Sequence, residues 1–287
     1  MSDGAVDSVP RSIRAGDIRR STIAGTWYPG EPAQLRAMIG GFLDSVTPSS
    51  LDGELVGLVA PHAGYMYSGQ VAAHAYAQVR QSSRSFSRVV IVSPVHRFYP
   101  GRFALTDKRY YETPLGLVPV DDALVRAVEQ HVSFNRVSQD MEHSLEIQLP
   151  FVQYELGNVQ LTPIMMGDQD WNSARELGEA LAQAIGQGEV LLIASTDLSH
   201  FHDYRSAKEL DQRVLDCISA YDAQGLIRTL SMHKAEACGG GPVAAVMVAA
   251  KALGANRAVL LQYMNSGDVT GDHSSVVGYA AVALLRS

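Results

Sequence analysis

Four short apolar runs, each stopping abruptly at polar residues, constrain this chain more than any other feature. Leu55 to Ala60 halts at Pro61-His62, Arg88 to Ser93 is rich in β-branched residues, and Gln160 to Met166 and Glu189 to Ser195 repeat the pattern. Apolar segments of this length without alternation read as strands buried on both faces, the situation of strands in a sheet covered by helices. Helical spacing fills the intervals, as in Glu31 to Val46 with Leu35, Met38, Ile39, Phe42 and Leu43. Gln70 to Arg80, Asp121 to His131, His143 to Leu156, Trp171 to Ile185, Ala207 to Tyr221, Ala223 to Met232 and Val243 to Leu253 read the same way. Phe103 to Val120 reads as one or two short strands, and Ala258 to Tyr263 and Ser275 to Leu285 as a closing pair. Gly64 to Gly69 reads as a glycine-containing turn.

The fold class expected is α/β, with a central mostly parallel or mixed β-sheet and helices on both faces. At 287 residues the chain is near the upper limit for one hydrophobic core, so residues 20–287 are expected to form a single domain behind a flexible leader, 1–19. That leader mixes Ser, Asp, Gly and Arg and lacks the apolar centre of a secretory signal.

A formal charge of −7 and the lack of any clustered Lys/Arg stripe argue against nucleic acid as a partner. The longest apolar stretch, Pro242 to Ala250, falls far short of the roughly 20 residues that span a bilayer, so no membrane association is expected. With only Cys217 and Cys238, no disulfide framework is available and a cytoplasmic location is expected. Cys217, flanked by Val214 and Ile218 on a helical segment, reads as a small buried hydrophobe.

Ligands of open α/β sheets settle beyond the carboxyl ends of the strands. His62, His96, Asp197 and His200 all follow strand ends on this reading, and His62 and His96 can meet if their two strands are neighbours. Cys238 precedes three glycines and Pro242 at the start of a helix, where the dipole and free amides favour a thiolate. Neutral imidazole and thiolate suit iron, copper or zinc better than calcium or magnesium. The chain has no HExxH, no CxxC and no GxGxxG with its later acidic residue, so a zincin, a zinc ribbon and a nucleotide cofactor are disfavoured. His143 and Glu146 fall on adjacent positions of one helical face, while His74, His131, His202, His233 and His273 receive no role.

Five segments occur in a telling order: Ala60-Pro-His-Ala-Gly-Tyr65, Ser93-Pro-Val-His96, Glu142-His-Ser-Leu-Glu146, Ser195-Thr-Asp-Leu-Ser-His200 and Cys238-Gly-Gly-Gly-Pro242. Together with Ala24-Gly-Thr-Trp-Tyr-Pro29 and Asp272-His-Ser-Ser-Val-Val-Gly-Tyr279, they resemble the Memo family, called AmmeMemoRadiSam system protein B in bacteria and archaea. The resemblance runs from about residue 20 to the C-terminus and implies a fold similar to class III extradiol ring-cleaving dioxygenases, which hold non-haem Fe(II) with two histidines and a carboxylate.

By that correspondence His62, His96 and Cys238 are the metal ligands, and Asp197, His200, His143, Glu146 and Tyr65 line the pocket. The resemblance implies a single metal ion, Fe(II) or copper with zinc as the alternative. A cysteine where the dioxygenases have a carboxylate shifts the preference towards copper or redox-active iron. Arg97 and Gly240 stand where some relatives have histidine and arginine.

The leading functional expectation is a metal-dependent redox protein of dioxygenase type, acting on an unknown small molecule, with His200 as general acid or base and Asp197 fixing its tautomer. Two alternatives use the same pocket: a non-catalytic adaptor that binds a peptide or protein, as a phosphotyrosine-binding family member is reported to do, and a zinc-assisted hydrolase. AMMECR-type and radical SAM proteins are the partners the family label suggests.

Overall fold

The buried runs lie side by side at the centre of one mixed sheet. The computed structural model describes residues 13–47 and 51–287. After a 3-10 turn at Ala15–Asp17 the chain forms β1 (Ile18–Arg19), α1 (Pro32–Asp44), β2 (Glu54–Ala60), α2 (Tyr65–Gln81), β3 (Arg88–Pro94), β4 (Phe103–Thr106), β5 (Tyr110–Thr113) and β6 (Gly116–Pro119). There follow α3 (Asp122–Val128), β7 (Asn135–Val137), α4 (His143–Glu146), α5 (Leu149–Leu156), β8 (Gln160–Met166), α6 (Trp171–Ile185), β9 (Val190–Ser195) and β10 (His200–His202). The chain closes with α7 (Tyr204–Ser219), α8 (Ala223–Ser231), α9 (Gly240–Ala252), β11 (Arg257–Asn265), α10 (Ser266–Thr270) and β12 (Val276–Arg286).

The main sheet runs β10-β12-β2-β9-β3-β8-β4-β7, with β11 also paired to β12. Its centre, β2-β9-β3-β8, is parallel, whereas β12 and β4 run antiparallel to their neighbours β2 and β8, so the sheet is mixed and open. Side chains of β3 alternate between two cores, as strand geometry requires. Val90 and Val92 join the core under α6 and α9, while Val89 and Ile91 join the one under α1, α2 and α5. Each such side chain, fully buried, contributes about 1.5–3 kcal/mol.

The strands bearing His62 and His96 are not neighbours, because β9 lies between β2 and β3. With strands about 4.8 Å apart, the two axes stand roughly 10 Å from each other. The imidazoles still meet, their ring centroids 5.2 Å apart, because both follow strand ends and lean over the end of β9.

Three local expectations need correction. Residues 1–12 of the expected leader lie outside the described residues, but Ala15–Arg19 are structured, and Arg19 is only 3% exposed, paired with Asp140 and Glu146. The expected turn at Gly64 to Gly69 is instead the first turn of α2, capped by Gly64. Gly69 belongs inside that helix because α1 packs there, and a Cβ would stand 2.4 Å from Phe42 Cε2. The helix expected from His143 to Leu156 breaks into α4 and α5, since Pro150 has no N–H to offer the Glu146 carbonyl. The strand β10 and the helix α10, segments left unassigned from the sequence, both form against β12. Among the described residues, no helix is long and apolar enough to cross a membrane.

Candidate metal centre

Parallel strands deliver their C-terminal ends to one edge of the sheet, and there the loops after β2, β3 and β9 meet the chain that opens α9. One potential ligand atom from each of His62, His96 and Cys238 lies within 4.8 Å of the other two. Cys238 Sγ is 3.1 Å from His62 Nε2 and accepts a hydrogen bond from the Asp197 N–H at 3.2 Å. Gly239 allows this approach: a Cβ there would stand 2.2 Å from the Ser195 carbonyl oxygen.

The hydrogen bonds around the two imidazoles assign their tautomers. Tyr76 donates its hydroxyl to Gln148 Oε1 at 2.8 Å, so the Gln148 amide nitrogen points the other way and donates to Pro61 O and to Ser195 Oγ. The Ser195 hydroxyl donates its one hydrogen to Ser144 O at 2.6 Å. It can then only accept from His62 Nδ1, 3.0 Å away, which puts the His62 proton on Nδ1 and a lone pair on Nε2. Glu142 does the same for His96, accepting from Nδ1 at 3.0 Å and from the His96 N–H at 2.7 Å.

Burial raises the Glu142 pKa, but hydrogen bonds from His96 and from the Ser144 N–H outweigh it and bring the carboxyl down to about 2, so it is a charged acceptor. His62 therefore turns a bare Nε2 towards the thiol, and His96, held at Nδ1 by Glu142, has Nε2 as its remaining ring nitrogen, the arrangement usual in metal-ligating histidines whose second nitrogen is held by the protein. Two imidazole nitrogens and one sulfur fit iron, copper or zinc.

Burial pushes the His62 pKa well below its ordinary value, with His96 and His143 adding to the effect, so the ring is neutral. It also pushes the Cys238 thiol up, reinforced by Asp197. Cys238 lies two residues ahead of α9 and is half-buried, so burial opposes the helix dipole that favours its thiolate. Asp197, lifted to about 7 by burial, accepts the His62 N–H at 2.7 Å. It orients the His62 and Cys238 loops rather than His200, to which it makes no hydrogen bond.

A cleft of about 600 Å³ opens over this group, and His62, His96, His143, Asp197 and His200 all line it. His143 packs on Trp27 and His96, with ring centroids 4.5 and 4.7 Å away, and burial brings its pKa down to about 4. His200 enters the cleft from β10, opposite Val277.

Two residues assigned to the pocket do not reach it. The Tyr65 hydroxyl is buried and donates to Ile147 O at 2.9 Å. Glu146 faces the opposite way and receives Arg19, Ser21, the Thr22 N–H and Tyr28, so it ties the N-terminal segment to α4. Sequence reasoning missed Glu142, Ser195, Gln148 and Trp27. Glu142 and Ser195 stood inside the quoted motifs, and a polar residue at a buried strand end or helix cap was the available signal. Of the histidines left without a role, His202 bonds to Glu236 and His273 packs on Tyr204.

Residues 19–283 match the family described as Memo-like protein. The chain is 39% identical over 274 residues to a MEMO1 family protein of Methanothermobacter thermautotrophicus, covering 92% of this chain and 99% of that one. A MEMO1 family protein of Methanopyrus kandleri is also 39% identical, over 281 residues that cover 93% of this chain and 99% of the relative. One from Nitrosopumilus maritimus is 33% identical, with 93% and 100% covered. Among solved structures, an uncharacterized protein from Escherichia coli K12 superposes with a TM-score of 0.54 at 12% identity, covering 80% of this chain and 100% of that one, a likeness of fold.

Proposed function

The chain belongs to the Memo-like protein family, and on that premise we propose that its cleft is a metal-dependent redox centre in which His62, His96 and Cys238 hold one iron or copper ion. The observation that carries this reading is that two imidazoles, each held at Nδ1 by the protein, converge with one thiol to within 4.8 Å of one another beside an open cleft. With three protein ligands, the ion would supply one-electron chemistry and open positions facing the cleft.

The remaining residues prepare that site. Ser195 and Glu142 hold the imidazoles in ligating orientation. Cys238 gives up its proton on ligation, so uptake of the ion releases acid. Burial lowers the His200 pKa and keeps its imidazole neutral, a proton acceptor at the cleft wall.

Metal analysis of the wild type and Cys238→Ser after anaerobic purification tests the reading. Close to one iron or copper per chain in the wild type, and a large loss in the variant, is the expected result. Oxygen uptake with catechol-like compounds then tests the redox assignment. Equal metal content in the two proteins overturns the centre, and bound zinc without any redox response moves the reading to metal-assisted hydrolysis.

A further inference from the structure

The wall of the cleft carries its own chemical signature. Phe201 is the extra residue of a β-bulge, since His200 pairs with Val277 and His202 with Val276. Its φ is +63°, a left-handed conformation that a bulky side chain rarely adopts, and it is 77% exposed. Bulges beside active sites re-aim side chains, and strain of this kind persists where the surrounding structure imposes it. Met66, 67% exposed, and Tyr67 project from the first turn of α2 into the same cleft, and Trp27 joins them.

Three large side chains, Phe201, Met66 and Tyr67, thus face water around one opening, with the half-buried Trp27 beside them. None of the residues lining the cleft is Lys or Arg, whereas Asp197 and Asp272 are among them. Asp272 Oδ1 is held by the Ser274 N–H and hydroxyl, leaving the carboxylate at the rim. Arg97, the residue after His96, is exposed and does not line the cleft.

We propose that the cleft binds an uncharged or cationic molecule with a flat apolar body lying against Phe201 and Met66, and that it discriminates against anions. An apolar ligand removes the exposed rings from water, and a planar one gains offset or edge contacts with Phe201 and Trp27. A phosphate or carboxylate meets no Lys or Arg among the lining residues and faces Asp272 at the rim, which makes phosphorylated ligands poor candidates. The inference rests on the metal-centre reading in taking this cleft as the working site, but its ring and charge preferences are read without metal.

Calorimetric titration of the full-length chain with tryptamine, indole and indole-3-acetate, in the presence of a chelator, tests it with one ring and three charges. Tryptamine is expected to bind tightest and indole-3-acetate weakest. Phe201→Ala should weaken all three roughly five- to tenfold, with Phe201→Trp restoring them. Asp272→Asn should remove the advantage of tryptamine over indole. If Phe201→Ala loses its native melting transition, Met66→Ala and Phe201→Trp carry the comparison. Indole-3-acetate binding as tightly as tryptamine, or a folded Phe201→Ala chain that binds all three like the wild type, overturns the proposal. Because every titration is run under chelator, the outcome of the metal analysis does not bear on these orders, so the two readings fail separately.

Discussion

Ser195 Oγ lies 3.0 Å from His62 Nδ1 as an acceptor, because its only hydrogen is already donated to Ser144 O. One hydroxyl at the end of β9 thereby decides which nitrogen of a histidine on another strand is free to ligate. The polar chain Tyr76-Gln148-Ser195-His62 is satisfied at each of these contacts, and such networks specify one geometry at the cost of sensitivity to any missing member.

Ser195→Ala should therefore fail twice. Removing the hydroxyl leaves the Ser144 carbonyl and the His62 Nδ1–H without their partner, a loss of about 1–3 kcal/mol in urea unfolding. Freed from its tautomer, His62 should bind metal about 10- to 100-fold more weakly in a metal titration. A variant with unchanged affinity would show that the hydroxyl does not orient the ring.

Glu142→Gln tests the same logic at His96. The carboxylate accepts from His96 Nδ1 and from the N–H groups of His96, His143 and Ser144. An amide has a single oxygen for these donors and adds two hydrogens of its own. Metal affinity should fall by about 10-fold or more, with a lower melting temperature measured in the same sample under chelator.

Gly239→Ala should displace Cys238 while leaving all three ligands in the sequence. The added Cβ meets backbone, the Ser195 carbonyl at 2.2 Å, as well as Thr196 Cβ at 2.8 Å, so the loop must move. Overpacking of this kind costs about 1–3 kcal/mol. Metal content measured by elemental analysis should drop towards that of Cys238→Ser, and full occupancy would show that the close approach is dispensable.

Acid should release the N-terminal segment through Glu146. Burial raises its pKa, but Arg19, the Ser21 hydroxyl and the Thr22 N–H outweigh burial and leave it below the ordinary value. Because the folded-state value is depressed, the stabilisation is present above the unfolded value of about 4.3 and is lost as the pH falls through the folded one. Melting temperature should hold from neutral pH down to about 5 and decline below about 4. Glu146→Gln should be less stable at pH 7 by about 3–5 kcal/mol, leaving buried Arg19 with one carboxylate partner, Asp140, in place of two, and should lose part of the acid decline. Parallel pH curves for the two proteins would remove Glu146 from that role.

Much of the architecture was legible because its causes are local. Val89 to Val92 is apolar at every position, and only a strand covered on both faces uses such a run. His62, His96 and Asp197 follow strand ends in sequence, so their arrival at one edge followed from parallel pairing. Tyr65 and Glu146 misled because a motif position says nothing about which way a side chain points. One helical step separates Glu146, facing Arg19, from the cleft-facing His143. Phe201 gave no sign at all, since its exposure comes from a bulge set by the pairing of β10 with β12.

Residue order alone determined the apolar runs, the helical stretches between them and the polar residues at their ends, because hydrophobic periodicity is written in neighbouring positions. Tertiary structure alone decided that β9 separates β2 from β3, that Ser195 and Glu142 choose the histidine tautomers, and that Arg19 joins the domain. Those outcomes depend on contacts between residues far apart in sequence, such as His62 with Ser195, 133 positions away, and burial and hydrogen bonding at that range exist only once the chain has closed on itself.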